Sequence, residues 1–167
     1  YRLRTGRGQE VKANLLRTAM NIFHFNTIEA YMRGVERKPS ANRSQFGAPA
    51  DLFQTRDGWV QAQVVGQALF ERWAEMIGEP HWIQDPRLQS DSGRADQGEL
   101  LSERTQAWMA MLTTQEALTK LAEARIPAGP LYSPLQTLDD PQVQATGLLD
   151  WVDYPGLPKP APLVKGP

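Results

Sequence analysis

The sequence of 167 residues contains no cysteine and only two histidines, His24 and His81. The lack of cysteine excludes disulfides, thiolate metal sites and a cysteine nucleophile. Neither histidine has a second ligand at a suitable spacing, so we predict no metal site. No serine lies in a Gly-x-Ser-x-Gly motif, which argues against a serine hydrolase of that kind.

The sequence also has no long hydrophobic run. No apolar stretch approaches the roughly 20 residues that a membrane-spanning helix needs, and no signal-peptide pattern is present. We therefore expect a soluble, cytoplasmic protein with no membrane partner. A length of 167 residues suits one ordinary domain with a buried core.

Basic residues are concentrated near the start of the chain. Residues 1–43 hold nine Lys/Arg and three Asp/Glu, whereas the remainder holds nine and sixteen. A basic region can meet the phosphates of a nucleotide or of nucleic acid, but a solvated helix face is the simpler interpretation. The arginines are not interleaved with aromatic residues, so we predict no nucleic-acid partner.

The helical spacing of apolar residues predicts one long helix over residues 11–32, ending at Gly34. Met20 and Phe25 lie outside the main apolar stripe, so more than one face of this helix is apolar. A helix of that kind is normally buried on two sides. We therefore predict burial on two sides and, for the isolated chain, a homo-oligomer that pairs through residues 11–32.

An Asp-Gly pair at Asp57 and Gly58 separates two β-prone segments, residues 51–56 and 59–65, and predicts a β-hairpin. Other local signals predict a helix over residues 67–77, capped helix starts at Asp96 and Thr113, and a strand over residues 148–154. The predicted fold class is α+β: mainly helical, with a small antiparallel sheet built around the hairpin.

The segment between the long helix and the hairpin is the best candidate for a binding site. Asn42, Arg43, Gln45 and Gly47 bring hydrogen-bonding groups, a cation and a flexible glycine to one loop. We predict these four residues as substrate contacts, with an ordinary surface connection as the alternative. The Gly-Arg-Gly sequence at residues 6–8 lacks the third glycine and the preceding strand of a dinucleotide fingerprint, so it predicts only a turn.

Several short sequence motifs, taken in chain order, resemble those of the class III CoA-transferases, the family of carnitine dehydratase and bile-acid-inducible protein F. These motifs are Thr5–Val11; Ala48-Pro49 with Phe53–Thr55 and Asp57–Val60; Asp85–Leu88; and Ile126–Pro130 followed by Asp140-Pro141. The resemblance covers nearly the whole chain. It implies that the chain is the C-terminal portion of such an enzyme, namely its small domain and linker helix.

The resemblance also implies a chemistry. In that family an aspartate forms acyl-anhydride and aspartyl-CoA thioester intermediates, while CoA moves between an acyl-CoA and a carboxylic acid. This aspartate lies shortly before the phrase that begins here at Thr5, so we expect no catalytic residue in this chain. Coenzyme A is a substrate in the family, and no bound cofactor is expected for this chain alone.

The resemblance further implies a domain organisation. Residues 1–34 would be a linker segment with the long helix, residues 35–154 a small α+β domain, and residues 155–167 an irregular, proline-rich tail returning toward the large domain. Most of the large CoA-binding domain would be missing, and Tyr1 in place of an initiator methionine also favours truncation. Family subunits interlock as dimers.

Two functions of different classes are therefore considered. The first is the small-domain portion of a CoA-transferase-like enzyme, inactive by itself, with an acyl-CoA racemase of the same family left open. The second is a standalone, non-catalytic binding or assembly module derived from such an enzyme. Some transferases carry a glycine-rich flap before the hairpin, but residues 43–47 contain one glycine. That departure leaves the substrate class open and argues against the formyl-CoA type.

Overall fold

The computed structural model describes residues 1–165 and divides the chain into two compact units. Unit 1 comprises Tyr1–Ala41, and unit 2 begins at Asn42. The helices of unit 1 are α1 (Arg2–Thr5), α2 (Leu15–Ile22) and α3 (His24–Arg33). Gly34 ends α3 in the left-handed conformation, with φ at 65°, as the sequence predicted.

The prediction of one continuous helix over residues 11–32 was wrong. The helix begins only after Asn14, whose side-chain oxygen accepts a main-chain N–H of the first turn of α2 at 2.8 Å. A second break falls at Phe23, between α2 and α3. There the His24 ring nitrogen Nδ1 lies 2.7 Å from the carbonyl oxygen of Asn21. A side chain that binds this carbonyl competes with the main-chain hydrogen bond of a continuing helix.

Within a single chain this segment is not buried on two sides, so the predicted burial is wrong for unit 1 by itself, while burial against a second copy stays a prediction. Within Tyr1–Ala41, all of which the structure describes, Glu29 is the one buried residue. Leu15 is 91% exposed and Tyr31 is 88% exposed. Apolar periodicity indicates which face a helix will bury, but burial requires a packing partner, and unit 1 does not supply one from its own residues.

The predicted hairpin is confirmed. Strand β1 (Ala50–Gln54) pairs with β2 (Trp59–Gln63) in antiparallel register, with Phe53 opposite Val60. A third strand, β3 (Ala128–Pro130), pairs antiparallel with β2 and completes a sheet of order β1-β2-β3.

The rest of unit 2 is mainly helical, which confirms the α+β class. Its helices are α4 (Gln67–Met76), α5 (Asp91–Asp96), α6 (Gly98–Met109), α7 (Thr114–Glu123), α8 (Pro134–Asp139) and α9 (Pro141–Ala145), with 3-10 turns at Pro80–Gln84 and Pro86–Leu88. The capping box of Thr113 and Glu116 is present, whereas the cap predicted at Asp96 is wrong. Helix α6 begins at Gly98, and its N-cap residue Gln97 makes no side-chain cap bond. Ser90 caps the preceding helix, α5, by accepting a main-chain N–H at 3.1 Å. No helix in residues 1–165 is both long and apolar enough to cross a bilayer.

The core of unit 2 lies between the three-stranded sheet and the helices that cover it. Helix α6 packs on β1, and α7 packs on β2 and β3. Three aromatic rings follow one another in this core: Phe70 lies 5.5 Å from Trp73, and Trp73 lies 5.6 Å from Trp82, centroid to centroid. Phe53 and Val60 add the buried face of the hairpin.

Two glycines permit close approaches that position these elements. A Cβ on Gly58 would lie 2.8 Å from the hydroxyl oxygen of Thr114, so glycine lets the start of α7 contact the hairpin turn. A Cβ on Gly93 would lie 2.4 Å from the carbonyl oxygen of Arg87, so glycine lets α5 pack on the preceding 3-10 turn. From the sequence, Gly58 was expected to serve the geometry of the hairpin turn. The structure shows a stricter requirement, since a side chain at this position would collide with the start of α7.

The prediction of a wholly irregular tail over residues 155–167 was wrong for part of its length. Strand β5 (Ala161–Val164) pairs antiparallel with the predicted strand, which is confirmed as β4 (Leu149–Val152). Pro162 stands opposite Trp151. A two-stranded sheet consists of edge strands, where a residue without an N–H is tolerated. The last two residues of the predicted tail lie outside the described residues.

Candidate functional site

The candidate substrate contacts lie in the loop of residues 42–47, which leads into β1. Main-chain hydrogen bonds anchor this loop to the hairpin. Within the loop, the Ser44 amide donates to the Ala50 carbonyl at 2.8 Å. Just beyond the loop, the Val64 amide donates to the Pro49 carbonyl at 2.8 Å. The hairpin therefore fixes the path by which the 42–47 loop joins the sheet.

The four predicted residues lie at different depths of the 42–47 loop. Asn42 is exposed, Arg43 and Gln45 are half-buried, and Gly47 is buried. The loop thus offers polar side chains near the surface and closes inward at its glycine. An exposed entry and a buried end are suitable for a segment that binds a ligand on a fixed support.

Arg43 and Gly47 are brought together against the helix pair α5–α6. A Cβ placed on Gly98, the first residue of α6, would lie 3.5 Å from Cδ of Arg43. A Cβ placed on Gly47 would lie 3.5 Å from Oδ1 of Asp91, the first residue of α5. Asn42 stands outside this contact, at the exposed start of the loop.

Behind the loop lies a buried arginine, Arg94, which is 1% exposed. Its guanidinium donates to Oδ1 of Asp91 at 2.6 Å, to the Leu88 carbonyl at 2.7 Å and to Oε1 of Gln67 at 2.9 Å. It also lies 4.8 Å from the ring centroid of Phe70, within the range of a cation–π contact. Both terminal nitrogens of this buried charge are hydrogen-bonded, one of them to a carboxylate, while the buried Nε has no hydrogen-bond partner among the described residues.

Asp91 is held as a carboxylate by the same group of contacts. Partial burial raises its pKa, but hydrogen bonds from Arg94 and from the Gly66 amide, at 2.9 Å, together with the positive charge of Arg94, leave the pKa below its ordinary value. Asp91 is therefore ionised at neutral pH and remains a strong acceptor for both donors.

Sequence reasoning missed Asp91 and Arg94. They are three residues apart on α5, a spacing that occurs on many solvated helices, and no motif distinguishes them. Their partner Gln67 lies 27 positions from Arg94 in the chain. An arginine in a polar segment is ordinary in a sequence, so the sequence held no clear signal that Arg94 would be buried.

A second concave surface lies at the hairpin turn. A cavity of about 290 Å³ is lined by Asp57, Gly58, Trp59, Thr114, Gln115, Leu118, Pro130, Leu131, Tyr132 and Gln136. The Thr114 amide donates to Oδ1 of Asp57 at 2.7 Å and the Thr114 hydroxyl donates to the same oxygen at 2.9 Å. These bonds lower the pKa of Asp57 below its ordinary value. The carboxylate thus ties the turn to α7.

The side chains of the 42–47 loop include groups that can hydrogen-bond a ligand. Arg43 supplies a guanidinium, which pairs well with a carboxylate, and Asn42 and Gln45 supply amides. The loop itself contains no carboxylate and no histidine to act as a nucleophile or general base. Within residues 1–165, no group of three or more His, Asp or Glu side chains is arranged to hold a metal ion.

Comparison with known sequences gives a consistent result. The family described as CoA-transferase family III matches residues 1–167. The succinyl-CoA–D-citramalate CoA-transferase of Chloroflexus aurantiacus is 26% identical over 157 residues, which are 93% of this chain and 39% of that protein. The formyl-CoA:oxalate CoA-transferase of a Bradyrhizobium species is 27% identical, over 92% of this chain and 41% of that protein.

Solved structures show the same fold. The Mycobacterium tuberculosis protein Rv3272 matches with a TM-score of 0.74 and 18% identity, over 99% of this chain and 42% of that chain. A CAIB/BAIF family protein from Brucella suis matches with a TM-score of 0.67 and 19% identity, over 99% of this chain and 46% of that chain. The chain therefore spans less than half the length of these relatives.

Proposed function

Because this chain belongs to CoA-transferase family III, we propose that it is the small-domain portion of an enzyme that moves CoA between an acyl-CoA and a carboxylic acid. In this proposal Asn42, Arg43, Gln45 and Gly47 contact the acyl end of the acyl-CoA. Relatives named for succinyl-CoA, citramalate, malate and oxalate support a substrate class in which the acyl group or the acceptor carries a carboxylate besides the one that reacts.

The observation that carries this proposal is the support behind the 42–47 loop. The loop is bonded to the hairpin on one side and rests on α5 and α6 on the other, so its polar groups are held on rigid elements. Arg43 is half-buried, and a guanidinium with part of its hydration removed forms a stronger charge-assisted hydrogen bond with a carboxylate.

We further propose that this chain alone does not catalyse the transfer. The family aspartate is expected ahead of the phrase that begins at Thr5. The carboxylates whose pKa is shifted here are all shifted downward by donors of their own unit. Each of these groups ties local structure together, as Asp57 does at the hairpin turn.

The binding proposal is tested by titrating isotope-labelled chain with succinyl-CoA and, in parallel, with free CoA, following amide shifts by NMR. We expect the 42–47 loop to respond to succinyl-CoA more strongly than to CoA. Arg43→Gln should weaken the succinyl-CoA response about tenfold, the factor for one charge-assisted hydrogen bond. Arg56→Gln, which removes an exposed arginine of the same unit, is the matched control.

Equal responses of the two arginine variants would contradict the assignment of Arg43. Transfer of CoA from succinyl-CoA to malate or citramalate by the chain alone would contradict the proposal that it is inactive. Conversion of a chiral 2-methylacyl-CoA to its epimer, without any transfer, would favour the racemase branch instead.

The alternative function, an assembly module, is favoured by the apolar surface of unit 1. We infer that this surface pairs with a second copy of the chain. Nine large apolar side chains of α2, α3 and their junction are each more than half exposed: Leu15, Leu16, Met20, Ile22, Phe23, Phe25, Ile28, Tyr31 and Met32. Exposed apolar patches of this kind mark interaction surfaces in soluble proteins.

A concavity in unit 1 offers a place for a partner's side chains. It has a volume of about 620 Å³ and is lined by Asn14, Leu16, Arg17, Met20, Asn21 and His24. Sedimentation analysis of the isolated chain tests the inference. A dimer, or a higher oligomer that dissociates on dilution, is expected, and a monomer at all concentrations up to that of the NMR samples would contradict it.

A further inference from the structure

The end of the 42–47 loop packs against Asp91, and the pair Asp91–Arg94 is hydrogen-bonded to the start of α4 and to the 3-10 turn that ends at Leu88. One oxygen, Oδ1 of Asp91, accepts hydrogen bonds from Arg94 at 2.6 Å and from the Gly66 amide at 2.9 Å. Gly66 is the N-cap residue of α4. The same oxygen lies 3.5 Å from the position that a Cβ on Gly47 would occupy. A single carboxylate oxygen thus lies where the loop end, α4 and α5 meet.

Arg94 extends this junction into the interior. Its second terminal nitrogen donates to the Leu88 carbonyl at 2.7 Å and to Oε1 of Gln67 at 2.9 Å, while its ring contact with Phe70 reaches the aromatic core. The guanidinium is therefore held from several directions. Because it is 1% exposed, its position does not depend on solvent. Because Arg94 is fixed, the Asp91 carboxylate bonded to it is also held in a fixed position.

The same helix pair touches the loop at a second point. Arg43 packs over Gly98 at the start of α6, two residues after the end of α5. The inner end of the 42–47 loop, at Gly47, and its cation, at Arg43, therefore rest on one support. A displacement of α5 moves both points together.

We propose that Asp91 and Arg94 form a positioning pair for the 42–47 loop. The pair fixes the position of Gly47 and, through α5 and α6, the position of Arg43. This inference rests on the proposed function for its biological meaning, since the loop is there assigned to the acyl group. Asp91 and Arg94 themselves act only through the loop and are not catalytic residues.

Hydrogen exchange of the full chain, measured without ligand, tests the pair directly. Asp91→Ala removes the acceptor shared by Arg94 and the Gly66 amide, so the junction against which Gly47 packs loses a charge-assisted hydrogen bond. We expect this junction to open more easily and the amides of residues 42–47 to exchange about tenfold faster. Amides of β1 and β2 beyond the loop should keep their rates. Asp91→Asn restores an oxygen at the same place and should return much of the protection.

Asp85→Ala is the matched control. Asp85 also pairs with an arginine, Arg87 at 2.7 Å, and also accepts a main-chain amide, at 2.9 Å, but it faces the 3-10 turn rather than the loop. It should change exchange near residues 85–89 and leave residues 42–47 at the wild-type rate. Faster loop exchange in Asp85→Ala, or equal acceleration of the whole of unit 2 in Asp91→Ala, would overturn the proposal.

Gly47→Val provides an independent route should Asp91→Ala not fold. It leaves the ion pair intact but places methyl groups beyond a Cβ that already stands 3.5 Å from Asp91 and 3.6 Å from Cγ2 of Val65. We expect the same faster exchange, confined to the loop, and wild-type loop rates in this variant would overturn the proposal.

Different results would contradict the positioning role and the proposed function. Faster loop exchange in Asp91→Ala supports the positioning pair whatever the response to ligand. If succinyl-CoA and free CoA then shift the loop amides of the wild-type chain equally, the acyl contact fails while the positioning pair stands. If the loop responds to succinyl-CoA but its exchange is unchanged in Asp91→Ala, the positioning pair fails alone.

Discussion

The two units of this molecule contain similar apolar side chains but bury them very differently. In unit 2, Phe70 is 0% exposed and packs against the ring of Trp73. In unit 1, Phe25 is 54% exposed and Leu15 is 91% exposed. Both regions show helical periodicity in the sequence. The difference therefore depends on whether another element of the same unit is present to cover the apolar face.

Local interactions take the place of a core in unit 1. Asn14 caps α2, and the buried carboxylate of Glu29 accepts hydrogen bonds from Arg37 at 2.6 and 2.7 Å and from Arg33 at 3.3 Å. Helices of eight and ten residues are marginal in water when they depend on such contacts alone. Unit 1 therefore gains most from a partner, whereas unit 2 is stabilised by its own core.

The largest expected difference between the units is in the effect of truncating a phenylalanine. Phe70→Ala should lower the free energy of unfolding of unit 2 by about 3–5 kcal/mol, because it opens a cavity in a packed core. Phe25→Ala should change it by less than about 0.5 kcal/mol. All five tryptophans lie in unit 2, so denaturant titration followed by tryptophan fluorescence reports this unit. Similar losses in the two variants would show that the units unfold as one.

The next effect concerns assembly. Met20→Asp places a charge in the exposed apolar surface of unit 1 and should weaken self-association by roughly 30-fold or more, as expected for a residue worth about 2 kcal/mol at the centre of an interface. Asn26→Asp adds the same charge on the polar side of α3, away from the apolar surface, and is the control. Sedimentation over a dilution series measures both. Equal dissociation constants for Met20→Asp and the wild-type chain would place the interface elsewhere.

The features that depend on neighbouring residues in the sequence were predictable. The hairpin around Asp57 and Gly58, the end of α3 at Gly34 and the capping box at Thr113 all follow from local chemistry, and the structure contains each of them. The break at Phe23 was not predicted. At this break the His24 ring lies within hydrogen-bonding distance of a main-chain carbonyl, a contact that apolar periodicity does not report.

The candidate site divides in the same way. The polar composition of residues 42–47 predicts a candidate binding loop, but it does not indicate which residues support that loop. That support joins segments far apart in the chain, as in the bond of Gly66 to Asp91 and that of Gln67 to Arg94. Contacts between distant segments depend on the fold, so one sequence read by local pattern does not reveal them. The assignment of the four loop residues to substrate stays a prediction.

Removing a helix cap should have a smaller effect, and again one that differs between the units. Thr113→Ala removes the hydroxyl that accepts the Glu116 amide at 3.2 Å at the start of α7. It should lower the free energy of unfolding of unit 2 by about 1 kcal/mol. Asn14→Ala removes the equivalent cap of α2. It should reduce the helical signal of unit 1 in NMR chemical shifts without moving the tryptophan-detected transition. A shift of that transition in Asn14→Ala would mean that α2 contributes to the stability of unit 2.

The smallest effect is the dependence of stability on pH. Hydrogen bonds from the Arg87 side chain and amide lower the pKa of Asp85 from 3.8 to about 2. Because the pKa of Asp85 is lower in the folded chain, the unfolded chain takes up the proton at a higher pH than the folded chain does. The contribution of the Asp85 carboxylate to the free energy of unfolding is therefore complete above about pH 4 and is lost as the pH falls toward 2. Asp85→Asn should therefore be less stable than the wild-type chain at pH 7, with the difference shrinking over this acid range. Denaturant midpoints at pH 7, 4 and 2.5 measure the trend, and a difference that grows on acidification would contradict it.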